Sequence, residues 1–435
     1  MQLRHIILFG TIVEALFLAV YLSPHSAESV LWFIGVQGIA FVVYAYVVWQ
    51  IKSGKLSSTW PSVWAIVAFA VVFRLSLVPH SPIASDDIYR YVWDGKVAYH
   101  GINPFAFAPN DPTLEGLRTD DLPSKINFPY MRTIYPPLAQ MLFYCSNVLF
   151  GDSIWGMKLL LVLLDIASIG VILLLLRQHG QNPALVALYA WSPLPIMYFG
   201  LDGHIDALGI PLLLLTVYLL KRNKHFAGAV SLGLSVAAKL YPLMIAPSLA
   251  RIRRDGKRIF LPAIPVVILA IGCWAYLEPT GGLVESFKVF NTEFEFNGAV
   301  FSLLYGMLRS NTSAHIVSGI LLFGWLLWLW STKREFSDVA FLAFLGFVLF
   351  SPVVHPWYLT WIAALLVLRW SLAVFVFLGF SNLSNIVVYE YRSTGVWSDQ
   401  PLLLLVEYLP FFVLLIWEVL RGRFSTLPDM TSIHR

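Results

Sequence analysis

Runs of about twenty apolar residues recur from one end of this chain to the other, separated by short polar turns; each such run is long enough to cross a bilayer as a helix. In lipid no water can satisfy an exposed amide, so a spanning segment must close its hydrogen bonds within itself. Many spans rather than a single anchor therefore dictate an all-α, polytopic transmembrane helix bundle. Composition agrees. Of 435 residues, 58% are hydrophobic and 12% charged, half the charged fraction of about 25% found in soluble domains, and mean hydropathy is +0.73.

The expected spans are 6–22, 30–51, 60–78, 157–176, 183–200, 206–220, 259–277, 315–330, 336–350, 356–368, 372–389 and 402–420. The first reads as a membrane helix rather than a removed signal peptide, because its apolar part is long and has no small-residue cleavage site. Lys/Arg-rich turns mark the cytoplasmic side. They are Lys52 and Lys55, Arg177, Lys221 to Lys224, Arg251 to Arg258, Lys333 and Arg334, Arg369, and Arg421 with Arg423. Both termini fall with them. The net charge of +4 is thus spent on these turns, and nothing in it suggests nucleic acid. Cys145 and Cys273 both lie in apolar segments, which argues against a structural disulfide or a cysteine metal site.

Two stretches resist a simple span. If 135–150 crossed the membrane, every later basic turn would invert, so it is expected as an interfacial helix on the outer surface, started by Pro136 and Pro137. Residues 226–250 begin and end among basic residues yet are too short for two crossings; they read as a broken or re-entrant helix pair with Lys239 and Pro242 near its tip. The total is about 12–14 spans, including that broken pair. The chain divides into a hairpin over 1–55, a core over 56–277 with an outer loop at 79–156, and C-terminal helices over 278–435.

The longest polar interruption, 84–137, holds Asp86, Asp87, Asp94, Asp111, Glu115, Asp120 and Asp121, seven of 25 acidic residues. Its many Trp, Tyr, Phe and Ile residues argue against disorder, and a folded loop of this length is usually functional. Ser85 is a good N-cap, so Asp86 and Asp87 should occupy the first turn of a helix running to about His100. Helical spacing then aligns Asp87, Arg90, Tyr91 and Asp94. Acids at a helix start also simply favour the dipole. Here, however, the pair follows a membrane helix directly, where partial desolvation can raise a carboxylate towards a general base's working range.

Other ionisable residues converge on the same side. His204 and Asp206 stand at one helix end and His355 at another, each also readable as a local polar turn or an interfacial belt residue. Lys239 lies inside an apolar stretch, where a lysine is costly and usually faces a cavity; it suits an anionic ligand. Arg74 and Arg132 are weaker candidates for that task, against a reading as snorkelling or surface arginines. Asp86, Asp87, His204 and His355 leave a divalent cation open, although no tight metal-ligand spacing is present. There is no phosphate-cradling glycine motif and no nucleophile elbow. An outward acidic site with embedded cations suits a lipid-linked phosphate, with the acid activating an acceptor hydroxyl and the cations steadying the departing phosphate.

Asp86-Asp87-Ile88-Tyr89-Arg90-Tyr91-Val92-Trp93-Asp94-Gly95-Lys96, Gly101-Ile102-Asn103-Pro104-Phe105 and Ile134-Tyr135-Pro136-Pro137 resemble the first outer loop of GT-C type membrane glycosyltransferases. The nearest resemblance is to bacterial polyprenyl-phosphate-mannose-dependent mannosyltransferases. Gly203-His204-Ile205-Asp206, Lys239-Leu240-Tyr241-Pro242 and His355-Pro356-Trp357-Tyr358 resemble later blocks in the same order. The resemblance implies inverting transfer of a hexose, mannose foremost, from a polyprenyl-phosphate donor to a glycan or lipid-linked acceptor. The site would lie on the extracytoplasmic face of a bacterial cytoplasmic membrane. It implies Asp86 or Asp87 as base, without choosing between them, and Arg90, Lys239, His204 and His355 as handling the donor. Tyr91, Asp94, Arg132, Tyr135, Asp206, Tyr241, Trp357 and Tyr358 are further substrate-binding candidates from the same motifs. The competing reading is a transporter or flippase for an anionic or lipid-linked substrate, which would call for broken helices in both halves and a midplane site.

Overall fold

A computed structural model describes residues 3–55, 59–119, 122–251, 260–274, 294–398 and 400–422, with Tyr276, Ser286, Lys288, Val289 and Thr292. Among them there is no strand, only isolated bridges from Phe296 and Asn297 to Val353. Seven helices are long and apolar enough to cross a membrane: Leu3–Leu22, Glu28–Lys52, Trp60–Leu77, Ile154–Gln178, Asn311–Ser331, Leu372–Thr394 and Pro401–Leu420. A bent pair, Pro183–Ala190 and Pro193–Leu201, meets at 47° and makes eight if it is one span. The remaining apolar helices, such as His225–Ala238 and Phe336–Phe350, have 10–17 residues, too few to cross alone against the roughly 20 needed. Of the expected spans, 206–220, 336–350 and 356–368, and the described part of 259–277, form such shorter helices, so the expected 12–14 spans become seven or eight among the described residues. The chain is a multi-pass membrane protein.

The breaks follow from proline and backbone chemistry. Ser192-Pro193-Leu194-Pro195 interrupts the 183–201 segment, where missing N–H groups and ring clashes bend a helix. The pair expected over 226–250 is present: His225–Ala238 ends, Lys239 is extended at φ −157° and ψ 137°, and a 3-10 segment Tyr241–Arg251 follows. Pro242 cannot donate back to Ala238, which prevents the helix from running through. The helix expected at 135–150 begins at Pro137 and ends at Phe150, packed against Asp87–Tyr99 and Ile154–Gln178. At its crossing with Asp87–Tyr99, a Cβ on Gly95 would sit 2.3 Å from the Phe143 carbonyl oxygen, so only glycine permits the approach.

Glu28–Lys52 is tied to both halves of the chain. Tyr44 donates to the Leu188 carbonyl at 2.6 Å, and Asn382 donates to the Ile34 carbonyl at 2.8 Å. The basic turns gather at one end. Lys52 lies 3.5 Å from the Trp370 ring centre, Arg369 pairs with Asp338 at 2.7 Å, Lys221 with Glu335 at 3.5 Å, and Arg251 donates to the Thr332 carbonyl at 2.8 Å. Arg253, Arg254, Lys257, Arg258 and Arg423 lie outside the described residues, as do Asp120, Asp121 and most of the loop 278–293.

Arg74 is neither a ligand-facing cation nor a snorkelling arginine. It is fully buried in the bundle, with Nε on Asp165 and Nη1 donating to the carbonyls of Ala70 at 2.9 Å and Ala190 at 2.8 Å. Tyr189 donates to the other oxygen of Asp165. An arginine at this depth needs its charge matched inside the protein, and Asp165 on the neighbouring span does so.

Candidate active site

The site is assembled at the end of the bundle opposite the basic turns. Residues 80–85 lead from Trp60–Leu77 into Asp87–Tyr99, and Asp202 fixes them: its Oδ1 accepts the backbone N–H of Ile83 at 2.7 Å and of Ala84 at 3.2 Å. Lys158 donates to the His80 carbonyl beside them. Asp202 itself follows a π-helical turn, Ile196–Leu201, a departure from the α-helix that often accompanies functional sites. Gly203 takes φ +76°, and a Cβ there would meet Ile88 Cδ1 at 2.4 Å. That glycine lets the 202–205 turn close directly onto the helix carrying the two aspartates.

The two aspartates have different surroundings. Asp86, not Ser85, is the N-cap of Asp87–Tyr99; Ser85 Oγ accepts from Asp87 N–H at 3.3 Å. Both oxygens of the Asp86 carboxylate accept from the single Nη2 of Arg392, at 3.2 and 3.3 Å, with both side chains about a third exposed. Asp87 turns inward. Its Oδ2 lies 3.6 Å from His204 Nδ1, and its side chain is still 31% accessible. Burial pushes its pKa up to about 6, against the opposing pull of Lys239 and with help from the charges of Asp86 and Asp206. The Asp87 carboxyl is thus reachable and yet surrounded by other ionisable groups.

Around Asp87 the distant blocks meet. His204 stacks on Trp357 at 4.0 Å, Trp357 on His355 at 4.2 Å, and His355 on Phe296 at 4.5 Å, a column of four rings from three parts of the chain. His204 is completely buried, and neither ring nitrogen has a hydrogen-bond partner. Burial, Lys239 and His355 hold its pKa well below the usual value; His355 is lowered to about 3 by burial and Lys239. Both imidazoles are therefore neutral at pH 7, and the Asp87–His204 approach is not an ion pair. An unpaired buried nitrogen costs free energy, which marks His204 as a candidate ligand contact.

Lys239 sits at its helix break with Nζ on both oxygens of Asp206, at 2.8 and 2.7 Å. It lies 5.0 Å from the Tyr241 ring centre and 4.6 Å from that of Tyr358. Asp206 also accepts from Trp361 Nε1 at 2.6 Å. The expected lone cation is thus one half of an Asp–Lys pair in an aromatic box, with two of its three ammonium donors engaged. On the cap, Arg90 Nε binds Asp94 at 2.8 Å and Nη1 donates to the Met131 carbonyl at 3.0 Å, while Nη2 is buried without a hydrogen-bond partner. Asp94 also accepts from Gln140 at 3.0 Å and so acts as a bracket between two cap helices. Tyr91 is buried between Tyr135, edge-on at 4.9 Å, and Phe143, stacked at 4.7 Å. Arg132 stands close enough to Asp111 on the cap to help hold that carboxyl below its usual range.

Sequence reasoning missed three members. Asp202 stands one residue before a motif already singled out, yet its value lies in two distant backbone amides. Arg392, 306 positions from Asp86, carries no local signal, and Phe296 reads as an ordinary apolar residue. Among the described residues no three His, Cys, Asp or Glu side chains converge as a metal-binding group; the acids and imidazoles here pair with each other, with cations or with rings. The family model for the N-terminal domain of alpha-(1->6)-mannopyranosyltransferases matches residues 10–253, which contain the cap, the His204 turn and Lys239, while His355 and Trp357 lie beyond the match. That stretch is more than half of the chain, and the protein belongs to the alpha-(1->6)-mannopyranosyltransferase family, as a membrane-embedded mannosyltransferase.

Proposed function

We propose that the protein transfers mannose, with inversion, from a polyprenyl-phosphate donor to a hydroxyl of a glycan or lipid-linked acceptor at the extracytoplasmic face of the membrane. Asp87 is the base. The observation that carries this reading is its position: an accessible carboxyl with a pKa near 6, near His204, which stacks on Trp357 as Trp357 does on His355, and near the Lys239–Asp206 pair. A base with that pKa is ionised at pH 7 and still accepts a proton as the acceptor oxygen attacks.

In the step, the acceptor O–H gives its proton to Asp87 while its oxygen bonds to the anomeric carbon. The bond from that carbon to the phosphate oxygen breaks, and the electron pair leaves with the polyprenyl phosphate. The unpaired Nη2 of Arg90 and the remaining donor of Lys239 steady the departing charge. Of the ring column only His355 is partly exposed, and it stacks on the pyranose while the neutral nitrogens of His204 behind it take a sugar or acceptor hydroxyl. Inversion to the α-linkage of the family's name requires a β-linked mannosyl phosphate. The isoprenoid lies along the membrane-facing helices, and the basic turns then face the cytoplasm.

Membranes supplied with polyprenyl-phosphate mannose and a mannoside acceptor test the assignment. Asp87→Asn should cut transfer by about 10²–10⁴-fold, and Asp86→Asn should leave much of it. Full transfer by Asp87→Asn would remove the base, and transfer from a nucleotide sugar alone would remove the donor.

A further inference from the structure

At the other end of the bundle a cavity of about 230 Å³ opens between four helical segments. Its wall brings Lys221, Arg251 and Arg334 together from separate parts of the chain, with Glu335 as the one carboxylate and Leu220 and Leu329 among the apolar residues. Lys221 and Glu335, 3.5 Å apart, are both substantially exposed and stand at its water-facing rim. The helix Asp206–Lys221 joins the two places: Asp206 belongs to the Lys239 pair and Lys221 to the cavity. Fifteen residues at 1.5 Å each put them about 22 Å apart, so this is a second site.

Two observations say what fits it. The permanent charges sum to an excess of cations over apolar walls, complementary to an anion on an apolar body. Cation–aromatic pairs also crowd this end: Arg334 with Trp328 at 5.6 Å, Arg222 with Tyr218 at 5.6 Å, Lys52 with Trp370 at 3.5 Å and Arg421 with Trp417 at 4.5 Å. Trp and Tyr favour the headgroup level of a bilayer, and basic side chains snorkel to it. The blander account is that these bases only offset the carboxyl ends of helices, but that does not require a cavity between them.

We propose that this cavity holds the phosphate headgroup of an anionic membrane lipid, its acyl chains running along the apolar wall. The experiment uses the full chain in detergent micelles and follows the thermal unfolding midpoint during titration with phosphatidylglycerol, phosphatidylcholine of the same chains, or inorganic phosphate. Phosphatidylglycerol should raise the midpoint saturably, and Lys221→Gln/Arg251→Gln should need about tenfold more of it, given the attraction of each basic residue for an anionic surface. Each single variant, read the same way, gives a smaller displacement should the double variant fold poorly. Equal half-saturation in wild type and variants would overturn the site. So would an equal response to phosphatidylcholine, while a shift by inorganic phosphate alone would show a soluble anion instead of a lipid.

Discussion

Two buried ionic clusters in this molecule have opposite characters. Around Arg74 both oxygens of Asp165 are taken, by Arg74 and Tyr189, and every member is sealed in the bundle. Around Asp87 the carboxyl is partly accessible, His204 has two unpaired nitrogens and Arg90 one. Arg74 Nη2 is unpaired as well, but no member of this first cluster reaches the surface, so it can only hold helices together. In the second the unpaired nitrogens are themselves buried, at a cost to stability, but they surround a carboxyl that remains accessible. Access to the carboxyl, rather than charge or unpaired atoms, separates the two.

The sharpest break of that contrast is Asp87→Asn. It should lower kcat/KM by about 10²–10⁴-fold, measured as mannosyl transfer in membranes, with the unfolding midpoint unchanged or higher. The sign of the second effect follows from the raised pKa. A carboxyl lifted from 3.8 to about 6 in the fold contributes its stabilisation below about pH 4 and loses it as pH rises through 6. Asparagine should therefore gain on wild type only above that range. In wild type, transfer should fall with protonation below about pH 6, and that limb should vanish from the residual rate of the variant.

Arg74→Ala should do the reverse: it should destabilise by about 3–5 kcal/mol, seen as lost folded protein, while the folded fraction transfers at nearly the normal rate. His204→Phe preserves the stack on Trp357 but removes both nitrogens. It should cost about 10–100-fold in kcat/KM, the worth of a hydrogen bond to a charged or developing-charge partner, with stability held or improved. A drop in stability without loss of transfer would place His204 with Arg74 instead. The smallest effect belongs to Arg392→Ala, which breaks a partly exposed pair with Asp86 worth about 0.2–1 kcal/mol. A loss of transfer as large as that of Asp87→Asn would move the base to Asp86.

Much of the frame was readable beforehand. The run lengths located the seven long helices but overcounted the crossings and missed the bend at 191–192; Pro136-Pro137 announced the start at Pro137, and the break at Lys239 followed from Pro242 and an isolated lysine in apolar surroundings. The distinction between Asp86 and Asp87 was not readable, because adjacent residues share every local signal and differ only in what stands opposite. Nor was the fate of Lys239, whose counter-charge on Asp206 lies 33 positions away, or of Arg74, whose depth depends on Asp165 in another span.

Amino-acid order alone determined that this chain is a bundle of membrane helices with a polar cap, since hydrophobic length and proline placement act over a few residues and admit few alternatives in lipid. Tertiary structure decided which ionisable groups are spent on one another and which are left open, because that depends on pairings between helices far apart in sequence, set by packing, by the turn at Gly203 and by the close crossing at Gly95. The chemistry follows from the second decision: a carboxyl becomes a base through what surrounds it in three dimensions.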